Sequence, residues 1–132
     1  MNLKLDHVAV QVSDLSAAID FYTRTLGLEL LFRELDPVHH EAFAFLRLEG
    51  GNLELLQRLS EDNSPIPLEA RIPEPPYTPH VALATENIEK ILEALADRGV
   101  PILKGPLEIP GKVKWLYFSD PDGNILEFVE WL

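Results

Sequence analysis

The sequence predicts an α+β fold: two βαβββ modules whose eight strands form a curved mixed sheet. Three observations carry this. The first half recurs in the second at an offset of 73 residues. Each copy opens with a strand pattern followed by a helical apolar stripe. Each copy closes with a hairpin pattern around a glycine-bearing turn. His7-Val8-Ala9-Val10 is echoed by His80-Val81-Ala82-Leu83, and Leu53-Glu54-Leu55 by Leu126-Glu127-Phe128. Between them Leu15 falls on Ile88, Ala18 on Ile91, Ile19 on Leu92, Asp20 on Glu93 and Tyr22 on Leu95. Gly27 pairs with Gly99, one residue short, so a single-residue slip occurs near the helix end. Restoration of the offset after that slip marks a repeat.

In the first module, residues 5–12 read as a strand. Val8, Val10 and Val12 face one way, and Leu5, His7, Ala9 and Gln11 the other. Residues 14–26 read as a helix, because Leu15, Ala18, Ile19, Tyr22 and Leu26 form one stripe. Ser13 or Asp14 suits its N-cap, and Gly27 the left-handed residue past its end. Residues 28–34 form the second strand. Residues 41–48 and 53–59 form a hairpin turning at Glu49-Gly50-Gly51-Asn52. The second module repeats the order: a strand over 79–84, a helix over 87–98 ended by Gly99, a short strand over 102–104, and a hairpin of 112–118 with 125–131. The modules span 1–59 and 78–132. The segment 60–77 between them, with Pro79 just beyond, holds six of the 11 prolines, so it reads as a stiff extended linker with a short turn at 68–71.

Composition narrows the chemistry. With 132 residues and 46% hydrophobic content the chain can bury a core. The absence of cysteine excludes disulfides, thiol nucleophiles, zinc fingers and iron–sulfur sites. A net charge of −11 repels phosphate backbones and anionic lipid, which argues against nucleic acid or a membrane as partner. The start lacks an apolar signal core, so a cytoplasmic location is expected.

Four side chains stand at equivalent positions: His7 and His80 near each first strand, Glu54 and Glu127 in each last strand, 47 residues apart in both copies. A carboxylate among Leu53, Leu55 and Leu56, or among Ile125, Leu126, Phe128 and Val129, is costly unless paired or metal-bound. Two imidazoles and two carboxylates suit one divalent transition metal per site (Ni, Co, Mn, Zn or Fe). Such ligands bind deprotonated, so metal affinity falls at acid pH.

The two-module pattern, the His-Val-Ala starts and the ending Asp120-Pro121-Asp122-Gly123-Asn124-Ile125-Leu126-Glu127 together resemble the vicinal oxygen chelate superfamily. That superfamily includes glyoxalase I, methylmalonyl-CoA epimerase, extradiol dioxygenases, fosfomycin-resistance enzymes and bleomycin-binding proteins. The resemblance implies that His7, Glu54, His80 and Glu127 are the metal ligands. It implies a metal-dependent isomerase or lyase acting on a small oxygenated metabolite, by proton transfer through a metal-stabilised enediolate. A homodimer is implied by the same likeness.

A carboxylate at Glu54 favours the glyoxalase I or epimerase branch over the alternatives, a ring-cleaving dioxygenase or a non-catalytic drug-binding protein. Gln11 stands where bacterial glyoxalase I carries Arg for a glutathione carboxylate, and Gln cannot make that bidentate ion pair. For the proton-transferring group the candidates are Glu127, Glu54 and His39, with His40 and Glu41 beside the last. Arg33, Arg47, Arg58, Lys112 and Lys114 are candidate anion holders, and Phe43, Phe45, Trp115, Tyr117, Phe128 and Trp131 candidate pocket walls.

Overall fold

A computed structural model describes all 132 residues. It divides into two compact units, Met1–Ala70 and Arg71–Leu132. The first holds β1 (His7–Gln11), α1 (Leu15–Asp20), a π-helical turn (Phe21–Thr25), β2 (Leu30–Asp36), β3 (Glu41–Leu46) and β4 (Asn52–Arg58). The second holds β5 (Val81–Ala84), α2 (Ile88–Asp97), β6 (Ile102–Ile109), β7 (Val113–Ser119) and β8 (Ile125–Trp131). All eight expected strands are present, four in each of two sheets ordered β1-β4-β3-β2 and β5-β8-β7-β6. In each sheet the first strand pairs parallel with the last, and the other neighbours are antiparallel.

Both helices start by the same device. The Asp14 carboxylate accepts from the Ala17 N–H at 3.0 Å, and Asn87 Oδ1 accepts from the Lys90 N–H at 3.0 Å. A second acceptor reaches each helix from the last strand of its own sheet. Gln57 Oε1 takes the Leu15 N–H and Glu130 Oε2 takes the Ile88 N–H, both at 2.9 Å. Gln57 and Glu130 stand 73 residues apart, as do Leu15 and Ile88, so the repeat extends to the caps. Two otherwise orphaned backbone donors at each helix start are thereby satisfied.

The one-residue slip has a structural cause. Over Phe21–Thr25 the first helix widens into a π turn, which takes up one extra residue before Gly27, whereas α2 runs regularly to Asp97. Gly27 and Gly99 then adopt positive φ values of 71° and 68°, as left-handed C-terminal residues do.

Each helix covers one sheet face. Leu15, Ala18 and Tyr22 are buried with Ala44, Leu46, Leu53 and Leu55; Ile88 and Leu95 are buried with Leu116, Phe118, Leu126 and Phe128. Burying each large side chain stabilises by about 1.5–3 kcal/mol. The Asp-Pro-Asp-Gly-Asn run serves the β7–β8 turn. The Asp120 carboxylate, buried there, accepts from the N–H groups of Asp122 and Asn124 at 2.9 Å and from Asn124 Nδ2 at 2.7 Å.

Three expectations need correction. The curved eight-stranded sheet consists of two four-stranded sheets, because each module's last strand already pairs with its own first and third strands. The short strand expected over 102–104 runs on to Ile109. Gly105 and Pro106 are accommodated by register breaks on an edge strand rather than ending it. No turn forms at 68–71; it lies at 75–77, where the Thr78 N–H donates to the Glu74 carbonyl at 3.2 Å. No helix is long and apolar enough to cross a membrane.

Candidate functional site

The face of each sheet away from its helix carries the polar residues that the sequence singled out. In the first unit Glu54 lies in register between Ala9 on β1 and Phe45 on β3. In the second, Glu127 lies between Ala82 on β5 and Tyr117 on β7. Alanine on one side leaves each carboxylate open there; an aromatic ring closes the other.

The structure brings each histidine to its glutamate. His7 Nε2 is 3.6 Å from Glu54 Oε1, and His80 Nε2 is 3.0 Å from Glu127 Oε2. The other ring nitrogen of each is held from behind. His7 Nδ1–H donates to Asp6 Oδ2 at 2.6 Å, and His80 Nδ1–H donates to the Thr78 carbonyl at 2.8 Å. A backbone carbonyl only accepts, so Nδ1 of His80 must carry the proton. Both imidazoles therefore lie between oxygen acceptors on both nitrogens. A neutral imidazole has one N–H. With Nδ1 of His80 as a donor, its 3.0 Å contact with Glu127 is a hydrogen bond only when Nε2 carries a second proton; otherwise a cation belongs between the two. Each ring also meets an aromatic edge: His7 and Phe45 at 5.0 Å, His80 and Tyr117 at 5.4 Å between centroids.

Electrostatics follow from these contacts. The Asp6 hydrogen bond raises the His7 pKa; burial works against it, while the Glu54 charge adds to it. Burial raises the Glu54 carboxyl, opposed by His7 and reinforced by Glu41. Burial raises the Tyr117 phenol, with the Glu127 charge adding to it.

The candidate aromatics now sort. Phe43 and Phe45 stand on the open face of the first sheet, with Phe32 stacked on Phe45 at 5.0 Å. Tyr117 and Trp115 stand on the corresponding face of the second. Phe128 belongs to the core, stacked on Phe118 at 5.2 Å, and Trp131 is exposed.

The candidate cations sort as well. Arg33 reaches the Ser16 hydroxyl at 3.2 Å, and Arg47 pairs with Glu29 at 2.9 Å. Lys114 is paired in register with Glu108 and Glu130 on the helix-facing side, and Lys112 is exposed in the turn before β7. Arg58 lines a cavity of about 700 Å³ in the first unit, together with Gln11, Leu56, the turn residues His39 and His40, and Glu41 at the start of β3. His39 is in that wall, its Nδ1 held by Asp36 at 2.8 Å, and makes no contact with Glu54 in the structure. Nowhere do three or more His, Asp or Glu side chains gather as metal ligands; each unit brings together one His–Glu pair. Sequence reasoning missed Asp6, Thr78 and Phe32. Asp6 directly precedes His7, and that adjacency was the available signal.

The model of the Glyoxalase/Bleomycin resistance protein/Dioxygenase superfamily matches residues 4–128. The chain belongs to this superfamily. It is 27% identical over 134 residues to lactoylglutathione lyase of Escherichia coli O157:H7, covering 97% of this chain and 93% of that protein. It is 31% identical over 129 residues to mitochondrial methylmalonyl-CoA epimerase of Bos taurus, covering 96% and 73%. Among solved structures it is similar to TnmS3, an antibiotic-binding protein from Streptomyces sp. CB03234, with TM-score 0.73, 25% identity, and 99% and 98% of the two chains covered.

Proposed function

We propose that the protein is a divalent-metal-dependent isomerase or lyase of the glyoxalase I or epimerase type, acting on a small oxygenated metabolite. The observation that supports this is the pair of imidazoles, each with Nε2 facing a carboxylate and Nδ1 fixed behind it. Imidazoles so oriented are what metal sites require. Each unit supplies one N,O donor pair, His7 with Glu54 and His80 with Glu127, of a chemistry suited to Mn, Fe, Co, Ni or Zn. One such ion is proposed per site.

When bound, the ion supplies Lewis acidity to two adjacent substrate oxygens. The chain's own residues do the rest. Ala9 and Ala82 leave space for substrate beside the carboxylates. Phe32, Phe43 and Phe45 form a connected aromatic wall on the Glu54 side. Of the two carboxylates, Glu54 would accept a carbon-bound proton when it loosens from the ion. At 3.6 Å it makes no hydrogen bond with His7, whereas Glu127 is bound to His80 at 3.0 Å. General-base catalysis of this kind contributes about 10²–10⁴-fold.

Solvent deuterium exchange into hemithioacetal and thioester substrates tests the reading. Exchange is expected with the metal-loaded protein and should fall at least about 10²-fold in Glu54→Gln. A second reading, a small-molecule-binding protein without chemistry, is favoured by the likeness to the antibiotic-binding protein. Saturable binding with no exchange in any substrate would establish that reading instead.

A further inference from the structure

The second half lacks the side chain that holds the first histidine. Asp6 and Pro79 stand 73 residues apart and are equivalent in the repeat. The Asp6 carboxylate fixes His7 Nδ1 at 2.6 Å. Proline has no side-chain acceptor, yet His80 Nδ1 is fixed as well, by the Thr78 carbonyl at 2.8 Å. Thr78 belongs to no strand, so no ladder aims that carbonyl.

Two other constraints act on Thr78. Its N–H donates to the Glu74 carbonyl at 3.2 Å, which closes the turn at 75–77. Its ψ angle, which directs its C=O, is restricted because Pro79 follows. The proline Cδ clashes with the preceding residue's N–H and Cβ in the helical region and confines it to extended values. The segment is anchored upstream too. A Cβ added at Gly123 in the β7–β8 turn would lie 3.1 Å from the Arg71 carbonyl oxygen, so glycine there admits the close approach. Residues 71–79 thus belong to the second unit as a strap.

We infer that Pro79 is a positioning residue for the His80–Glu127 pair: it aims the Thr78 carbonyl at His80 Nδ1, and so turns Nε2 toward Glu127. The halves reach one arrangement by different devices, a charged side chain at Asp6 and a pre-set neutral backbone at Pro79. The backbone device holds the closer pair, 3.0 Å against 3.6 Å. The effect of Pro79 on metal affinity rests on the proposed function; its effect on the ring does not.

The test uses the metal-free full-length chain and two variants. Pro79→Ala lifts the restriction on Thr78, and Pro79→Asp lifts it but installs the acceptor of the first half. Pro79 is exposed, so both variants should unfold cooperatively on heating. Order of the His80 ring is read by ¹³C relaxation at Cδ2, with His7 as the internal reference. The order parameter of His80 should fall from about 0.85 to below about 0.6 in Pro79→Ala and return toward the parent value in Pro79→Asp, with His7 unchanged. A residue that merely stiffened the strap would give both variants the same loss. Zn²⁺ affinity, measured on separate samples by chelator competition, should fall about 10–100-fold in Pro79→Ala and recover in Pro79→Asp. Unchanged ring order in Pro79→Ala, or equal loss in the two variants, would overturn the inference. The expected ring orders with no Zn²⁺ uptake by the parent chain would leave it standing and remove the metal-dependent reading. Zn²⁺ uptake with unchanged ring order in Pro79→Ala would remove this inference alone.

Discussion

The two modules share a template and differ in how tightly they hold their His–Glu pair. In the second, His80 is one-fifth exposed and hydrogen-bonded to Glu127 at 3.0 Å, with a neutral backbone carbonyl behind it. In the first, His7 is about two-fifths exposed and stands 3.6 Å from Glu54, with the Asp6 carboxylate behind it. One half is a firm support and the other a looser pair. The looser pair also has the aromatic wall and the adjoining cavity. A repeat therefore fixes where side chains stand, while the residues behind them set how each half behaves.

The largest expected effect separates the two helices. Tyr22 on the π turn and Leu95 on α2 are equivalent and both buried. Tyr22→Ala should cost about 3–5 kcal/mol and Leu95→Ala about 2–5 kcal/mol, measured by urea unfolding. A loss below about 1 kcal/mol at Tyr22 would mean that the π turn is not packed as described.

Next come the groups behind the histidines. Asp6→Ala should weaken metal affinity about 10–100-fold, as loss of a ligand-orienting partner does. Thr78→Ala keeps the carbonyl that holds His80 and should leave affinity unchanged. Equal effects of the two would erase the asymmetry between the halves.

The caps give a smaller contrast. Gln57→Ala should destabilise by about 1–2 kcal/mol, because it leaves the Leu15 N–H without its buried acceptor. Glu130→Ala, at a half-buried position where water can substitute, should cost less. Thermal unfolding of the two variants reads the difference.

The smallest effect is a pH dependence. Hydrogen bonds from the backbone and ring of His39 hold the Asp36 carboxyl below its ordinary value. That contribution is present above the ordinary carboxylate pKa and is lost as pH falls through the lowered one. Asp36→Asn lacks the ionised carboxylate, so it should be less stable than the parent near neutrality and equal to it at acid pH, with the acid-side loss removed. Unfolding midpoints measured from acid to neutral pH check it.

Much of this was legible in the residues. The 73-residue offset located both helices and the equivalent positions His7, Glu54, His80 and Glu127, and Ser13 or Asp14 was readable as the first cap; that Asn87 caps the second helix, and that each His meets its own Glu, came from the structure. Strand 102–109 was cut short because Gly105 and Pro106 read as a stop, and only the sheet shows that β6 is an edge strand where a missing donor is tolerated. The faces of the aromatics could not be read from parity within a hairpin whose register was unknown. Pairing of Phe45 with Glu54, and of Tyr117 with Glu127, supplies that register. His39 is a candidate base because it stands near the place where the resembling epimerase carries a catalytic Glu, but the turn holds it against Asp36.

The most direct test of the central claim is titration of the metal-free full-length chain with Co²⁺, followed by visible absorption. The account expects about one ion per site, with Glu54→Ala and Glu127→Ala each weakening binding at least about tenfold. No uptake, or uptake unaffected by both substitutions, would contradict it.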